Sequence, residues 1–173
     1  IDAWLTGNAS IEYHDFDASM IGGLVVTGPT NTYSGTWNIV QGPLLGTKAN
    51  SLGTNSITIG AKGALETLYD LNSPNATLTL NGIMYLHQND TVYQLAVNGA
   101  GLPAGVYSYA QLAAAFPTNF PATWTALYGS TSNTASGSIT VLNTLVTPPV
   151  ITAQPPSLSA EFVGAQRFYS VAA

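Results

Sequence analysis

Between Thr54 and Gly99 the chain alternates apolar with polar residues in short runs, and that alternation limits what it can fold into. Ile57 and Ile59, Leu78 and Leu80, Met84 and Leu86, then Val92 followed by Leu95 and Val97, carry the pattern. A period of two puts successive side chains on opposite faces of a strand, so one face of each run is buried. Gly60, Gly63, Gly82 and Gly99, with Asn75, Asn81, Asn89 and Asn98, stand between the runs. Glycine and asparagine turn a chain where φ must be positive. No segment up to Gly99 has a helical period. Such a succession of short strands suits a sandwich or a barrel as well as a solenoid. Yet no Asn-Gly or Asp-Gly pair joins two strands as a clean two-residue hairpin, Asn81-Gly82 coming nearest, and stacked turns need no hairpins. The expectation is a solenoid.

Composition supports a folded, weakly charged chain. Its 173 residues suffice for a buried core. Charged residues make up 6%, against about 25% in ordinary globular proteins. Hydrophobic residues reach 46%, the opposite of a disordered composition. The surface must therefore be built from Thr, Ser, Asn and Gly. A net charge of −5 with three Lys and Arg leaves no basic footprint for nucleic acid or for an anionic membrane surface. No apolar run approaches the ~20 residues that span a bilayer. The lack of cysteine fits a large extracellular scaffold. Because it opens at Ile1 without Met, the chain is expected to be a processed or trimmed product.

Taken in order, residues 1–28 read as two strands, one through Ile11 to Phe16 and one through Leu24 to Thr27, parted by Gly22-Gly23. Trp37 and Ile39 share a face of the next. The run Tyr33-Ser34-Gly35-Thr36-Trp37-Asn38-Ile39, then Ala49-Asn50-Ser51-Leu52-Gly53-Thr54, Ile57-Thr58-Ile59 and Gly63-Ala64-Leu65, resembles the autotransporter-associated β-strand repeat. It departs from that family in having Gly35 alone where a glycine pair is usual. The resemblance implies an all-β fold, a right-handed parallel β-helix, exported and displayed at a bacterial surface.

Gly101 to Ser108 resembles the closing segment of the same repeat proteins, and Gly137 to Leu142 their terminal strand. Ser108 is the expected N-cap of a helix from Tyr109 to Phe116, with Leu112 and Phe116 on one face and Pro117 as its stop. Residues 100–136 are expected to form a short helical and irregular cap, because a bare solenoid end exposes strand edges and apolar core. The competing reading is a ligand-binding loop using Trp124 and Tyr128. The domain expectation is a β-helix with its cap over residues 1–147. A linker at Pro148-Pro149 then leads into one or two extended strands over 148–173, which resemble the start of a bacterial immunoglobulin-like domain. Two such strands are not stable alone. Val150, Ile151, Phe168, Tyr169 and Val171 are thus expected to pair with a sheet edge, in this chain or head to tail in a neighbouring copy, giving self-association or a filament.

Candidates for chemistry are few. Glu12, His14, Asp15 and Asp17 form the densest charged cluster, which could bind a cation or transfer protons but reads as a solvated strand. Polysaccharide-cleaving β-helices need several acidic and basic side chains on one sheet, whereas Lys48, Lys62 and Arg167 lie in three regions. Glu66 and Asp70 are expected at a corner or loop, and His87 as an outward strand residue. No phosphate loop, Cys/His metal set or nucleophile elbow is present. The expectation is therefore no catalytic residue, no metal and no cofactor. Tyr13, Tyr85 and Tyr93, out of phase with their aliphatic neighbours, and Trp124 are the candidates for stacking on a glycan. The functional expectation is a non-enzymatic extracellular structural or adhesive protein, a stalk, spacer or filament subunit, partnered by its own copies or other cell-surface components. A carbohydrate-binding module is the alternative, and a polysaccharide-degrading enzyme a more distant one.

Overall fold

The alternating runs form strands that stack turn upon turn, mostly in parallel, in a computed structural model that describes residues 5–15, 23–29, 31–126 and 133–145. The fold is a β-solenoid of about three turns with one short helix. Its elements are β1 (Ile11–His14), β2 (Leu24–Val26), β3 (Trp37–Gly46), β4 (Ile57–Thr67), β5 (Asn72–Leu80), β6 (Ile83–Tyr85), β7 (Asn89–Val97), β8 (Ala100–Gly101), β9 (Gly105–Ser108), α1 (Tyr109–Ala115) and β10 (Ser138–Val141). The expectations for Asp17, Tyr128 and the tail strands at Val150, Ile151, Phe168, Tyr169 and Val171 fall outside the described residues.

Each successive strand of a wall contributes one residue per row, and the rows run in register. Along the first wall, Ile11, Trp37, Ile57, Leu78 and Leu95 form one row, and Tyr13, Ile39, Ile59, Leu80 and Val97 the next but one. Ile39, Ile59, Leu80 and Val97 have no exposed surface, and these rows fill the lumen. Ile57, Ile59, Leu78, Leu80 and Val97 thus point where their alternation places them. Between the two rows, Asn38, Thr58 and Thr79 face outward, which the period of two requires.

On the second wall, formed by β2, the later half of β3, the later half of β4 and β6, Leu24, Leu44, Leu65 and Met84 point inward. Val25, Leu45, Glu66 and Tyr85 form the outward row. Its sequence is apolar at consecutive positions (Leu44-Leu45, Ala64-Leu65), as in strands covered on both faces. On the third wall Ser73, Val92 and Val141 point inward.

The turns end in a change of strand direction. After Val97 the chain reverses through Asn98 and Gly99, with φ of 51° and 79°, into β8, which pairs antiparallel with β7. A two-residue Asn-Gly hairpin is therefore present, contrary to the sequence-based expectation, because the chain reverses after the last strand of the first wall instead of turning a corner. β10 then lies between β7, parallel, and β9, antiparallel. Helix α1 opens with the expected Ser108 cap in a full capping box: Ser108 Oγ accepts from the Gln111 N–H, and Gln111 Oε1 accepts from the Ser108 N–H at 2.9 Å. Leu112 and Phe120 join the cluster of lumen residues, so the helical segment packs onto the lumen's contents.

Candidate functional site

The polar side chains that chemistry would need collect where the second wall turns into the third. Glu66 sits in the outward row of that wall, between Leu45 and Tyr85, and is fully buried. His87 follows β6, and its Nε2 lies 3.1 Å from Glu66 Oε1. Gln88 Nε2 donates to His87 Nδ1 at 3.2 Å, which leaves the Nε2–H to donate to Glu66. The two side chains keep only 7% and 0% of their surface exposed. Both placements correct the sequence-based reading. Glu66 belongs to a strand rather than a corner, and His87 is enclosed at a turn rather than outward on a strand.

What encloses them is Trp124. Its indole stacks on the Tyr85 ring, and the His87 ring tilts against it with centroids 5.7 Å apart. Asn119 anchors this segment to β6: its carbonyl accepts from the Met84 N–H at 2.8 Å, and its side-chain amide donates to the Gly82 carbonyl at 2.7 Å. Leu45, Ala64, Tyr85 and Trp124 form a second small core outside the lumen, with Val25, Leu68, Ile83 and Ala135 packed against it. Burial holds the Tyr85 hydroxyl above the usual phenol range, and the Glu66 carboxylate adds to the effect.

Two carboxylates brace the turn beside this pair. Asp70 accepts from the Asn89 N–H at 2.9 Å, and Asp90 from the Leu71 N–H at 2.7 Å. Each reaches across to the neighbouring turn, so the two corners are cross-linked in both directions. Asp90 is 1% exposed.

The other candidates are scattered. Glu12 and His14 sit on β1, with Glu12 Oε1 2.7 Å from His14 Nε2 and Glu12 Oε2 accepting from Asn38 at 2.8 Å. Those bonds hold the Glu12 carboxyl below its ordinary range in an exposed setting. Tyr13 pairs with Ile39 and packs against the core, and burial raises its hydroxyl. Tyr93 is 40% exposed, and its hydroxyl accepts from Asn143 at 2.8 Å. Tyr85 and Trp124 are brought together; Tyr13 and Tyr93 sit on other walls. Among the described residues no three His, Asp or Glu side chains are placed to hold a metal ion, and no helix is long and apolar enough to cross a membrane.

The Glu66–His87 pair and Asp90 were missed in the sequence as a cluster. One signal pointed to them: a glutamate next to Ala64-Leu65, in a run buried on both faces, must find a partner. Compared with known proteins, the chain matches no family model, no curated protein and no solved structure.

Proposed function

We propose that the chain is a non-enzymatic structural or adhesive segment, exported to a bacterial surface and serving as a stalk, spacer or filament subunit. The observation that carries this reading is the set of in-register aliphatic rows through the lumen, faced on the first wall by Asn38, Thr58 and Thr79. Such a column is rigid, nearly uncharged outside and extendable by repeating a turn. Its one acid–imidazole pair in the protein interior is sealed beneath Trp124, where no polymer chain can reach it.

The likeness to the autotransporter-associated repeat adds to the reading, because its residues hold a corner together. The single Tyr33 O–H is shared between the Ala9 and Thr36 carbonyls, at 2.7 and 2.8 Å, and Trp37 Nε1 donates to the Leu52 carbonyl at 2.8 Å. Tyr33 meets Trp37 edge to face. Those bonds give the tyrosine and the tryptophan of the pattern a structural reason to recur, and burial in the core gives one to Leu52.

The test is incubation with a panel of polysaccharides and labelling of intact native cells. The reading expects no new reducing ends or unsaturated products, and antibody labelling without permeabilisation. Turnover abolished by Glu12→Gln or Glu66→Gln would replace it with an enzyme. A carbohydrate-binding reading rests on the exposed Tyr93 beside Asn143, and glycan-array binding lost in Tyr93→Ala would favour it.

A further inference from the structure

The lumen is lined mostly by hydrocarbon, and in one row of its third wall a carboxyl takes an aliphatic position. Leu71 and Ile139 are the neighbours of Asp90 in that row, one on each adjoining turn, and both belong to the core. Asp90 Oδ1 accepts from the Leu71 N–H at 2.7 Å. Oδ2 is buried and has no hydrogen-bond partner among the described residues. A buried carboxylate oxygen without a donor is costly, and the protonated acid, which buries no charge, costs much less in the same place.

We propose that Asp90 is a proton-operated pin on the last turn of the solenoid, which seats β10 when it carries a proton and loosens it when it ionises. β10 is the element that responds. It is held to β7 over four residue pairs, beginning at Ser138 opposite Asn89, and it rejoins the stack only after the excursion through α1. On the opposite side, β5 meets β7 along both the first and the third wall. β10 has β9 on its other edge, and its ladder to β7 is the shorter of the two that flank Asp90, so ionisation beside Ile139 strains the β7–β10 ladder first.

The groups acting on Asp90 agree with this. Burial is the main effect and pushes its carboxyl up to about 7; Asp70 pushes the same way, while the Leu71 N–H and, when it is protonated, His87 oppose it. Tyr69, on the turn after β4, feels the Asp90 charge in return. His87 carries Glu66 behind it. β10 contributes Ser138, Ile139, Thr140 and Val141, none of which titrates. The folded value lies above the ~3.9 of a solvated aspartate, so the folded state holds the proton more tightly. Seating is complete below about pH 4 and is lost as pH rises through about 7, with the opening constant growing up to roughly tenfold per pH unit in that window.

The experiment is amide hydrogen exchange across pH 4 to 8, corrected for intrinsic rates, on the native chain, Asp90→Asn and His87→Gln. Asparagine keeps the acceptor for Leu71 and cannot ionise. Amides of β10 in the native chain should lose protection as pH rises, more steeply than those of the β3–β4 ladder. Asp90→Asn should flatten that slope, and His87→Gln should keep it. A slope unchanged in Asp90→Asn, or one abolished in His87→Gln, overturns the proposal. A carbon-13 titration of the native Asp90 carboxyl stands apart from any variant's folding, and an ordinary aspartate midpoint there overturns it as well.

Discussion

The Trp124 indole lies almost flat on the Tyr85 ring, with centroids 4.9 Å apart and planes inclined by 14°. Tyr85 points away from the lumen, so this contact covers the flank of the solenoid rather than its end. The segment after α1 thus plays two parts. Phe120 joins the lumen core, and a few residues on Trp124 lies over the second wall. Between them, Asn119 ties the segment to Gly82 and Met84. An outward row of Leu45, Glu66 and Tyr85 needs such a cover, because bare apolar strand faces invite association.

Removing the imidazole under that cover should be costly. His87→Ala removes the imidazole that lies 3.1 Å from the Glu66 carboxyl in a fully buried site. The expected loss is ~3 kcal/mol or more in urea unfolding, the usual cost of breaking a buried pair from one side. Glu66→Gln keeps a hydrogen-bond acceptor for His87 and should lose only ~1 kcal/mol. If both variants fall within ~0.5 kcal/mol of the parent, the pair contributes no structure.

The aliphatic rows were legible from alternation alone, and they offer the plainest test. Leu80 is fully buried between Ile59 and Val97. Leu80→Ala should lower stability by ~2–5 kcal/mol through lost contact and the cavity left behind. A loss under ~0.5 kcal/mol would place Leu80 outside the packed interior.

Why some of the fold could be read in advance, and some could not, follows from range. Period-two runs and the Ser108 cap are local: Ile57 and Ile59 declare their face to each other, and Gln111 stands three residues from Ser108. The cover on the second wall is not local. Trp124 meets Tyr85 across some forty positions, and nothing near Glu66 in the chain announces His87. The Asn98-Gly99 hairpin was overlooked for another reason. Its return strand, Ala100–Gly101, is too short to show any alternation. Asp90 stayed hidden because its position in an inward row depends on Leu71 and Ile139, set by stacking of whole turns.

Gly137 should tolerate no side chain. Its φ is +79°, and a Cβ would run into the Gln88 backbone carbonyl. Its own carbonyl accepts from the Tyr109 N–H at 3.0 Å, at the start of α1. Gly137→Ala should cost ~1–3 kcal/mol from the backbone conformation alone, with the obstruction adding to it. Thermal melting at matched concentration would show the fall, and an unchanged midpoint would mean that β10 enters the stack by another path.

The capping box makes a smaller, local prediction. Ser108→Ala should weaken α1 by ~1 kcal/mol, while Ser108→Asn, also a good cap, should change it little. Exchange at the Leu112 and Ala113 amides is the measurement. Equal protection in the alanine variant would show that packing of Leu112, rather than the cap, holds the helix.

The in-register rows also have a mechanical consequence. Strands lie across the column, so the ladder bonds between Trp37, Ile57, Leu78 and Leu95 and their counterparts on the other walls run along its length. A pull spread over both ends of the column strains all the bonds between two turns at once. A pull on one end of the chain opens them singly, strand after strand. The same molecule is therefore a stiff strut or a weak thread, and the point of attachment decides which.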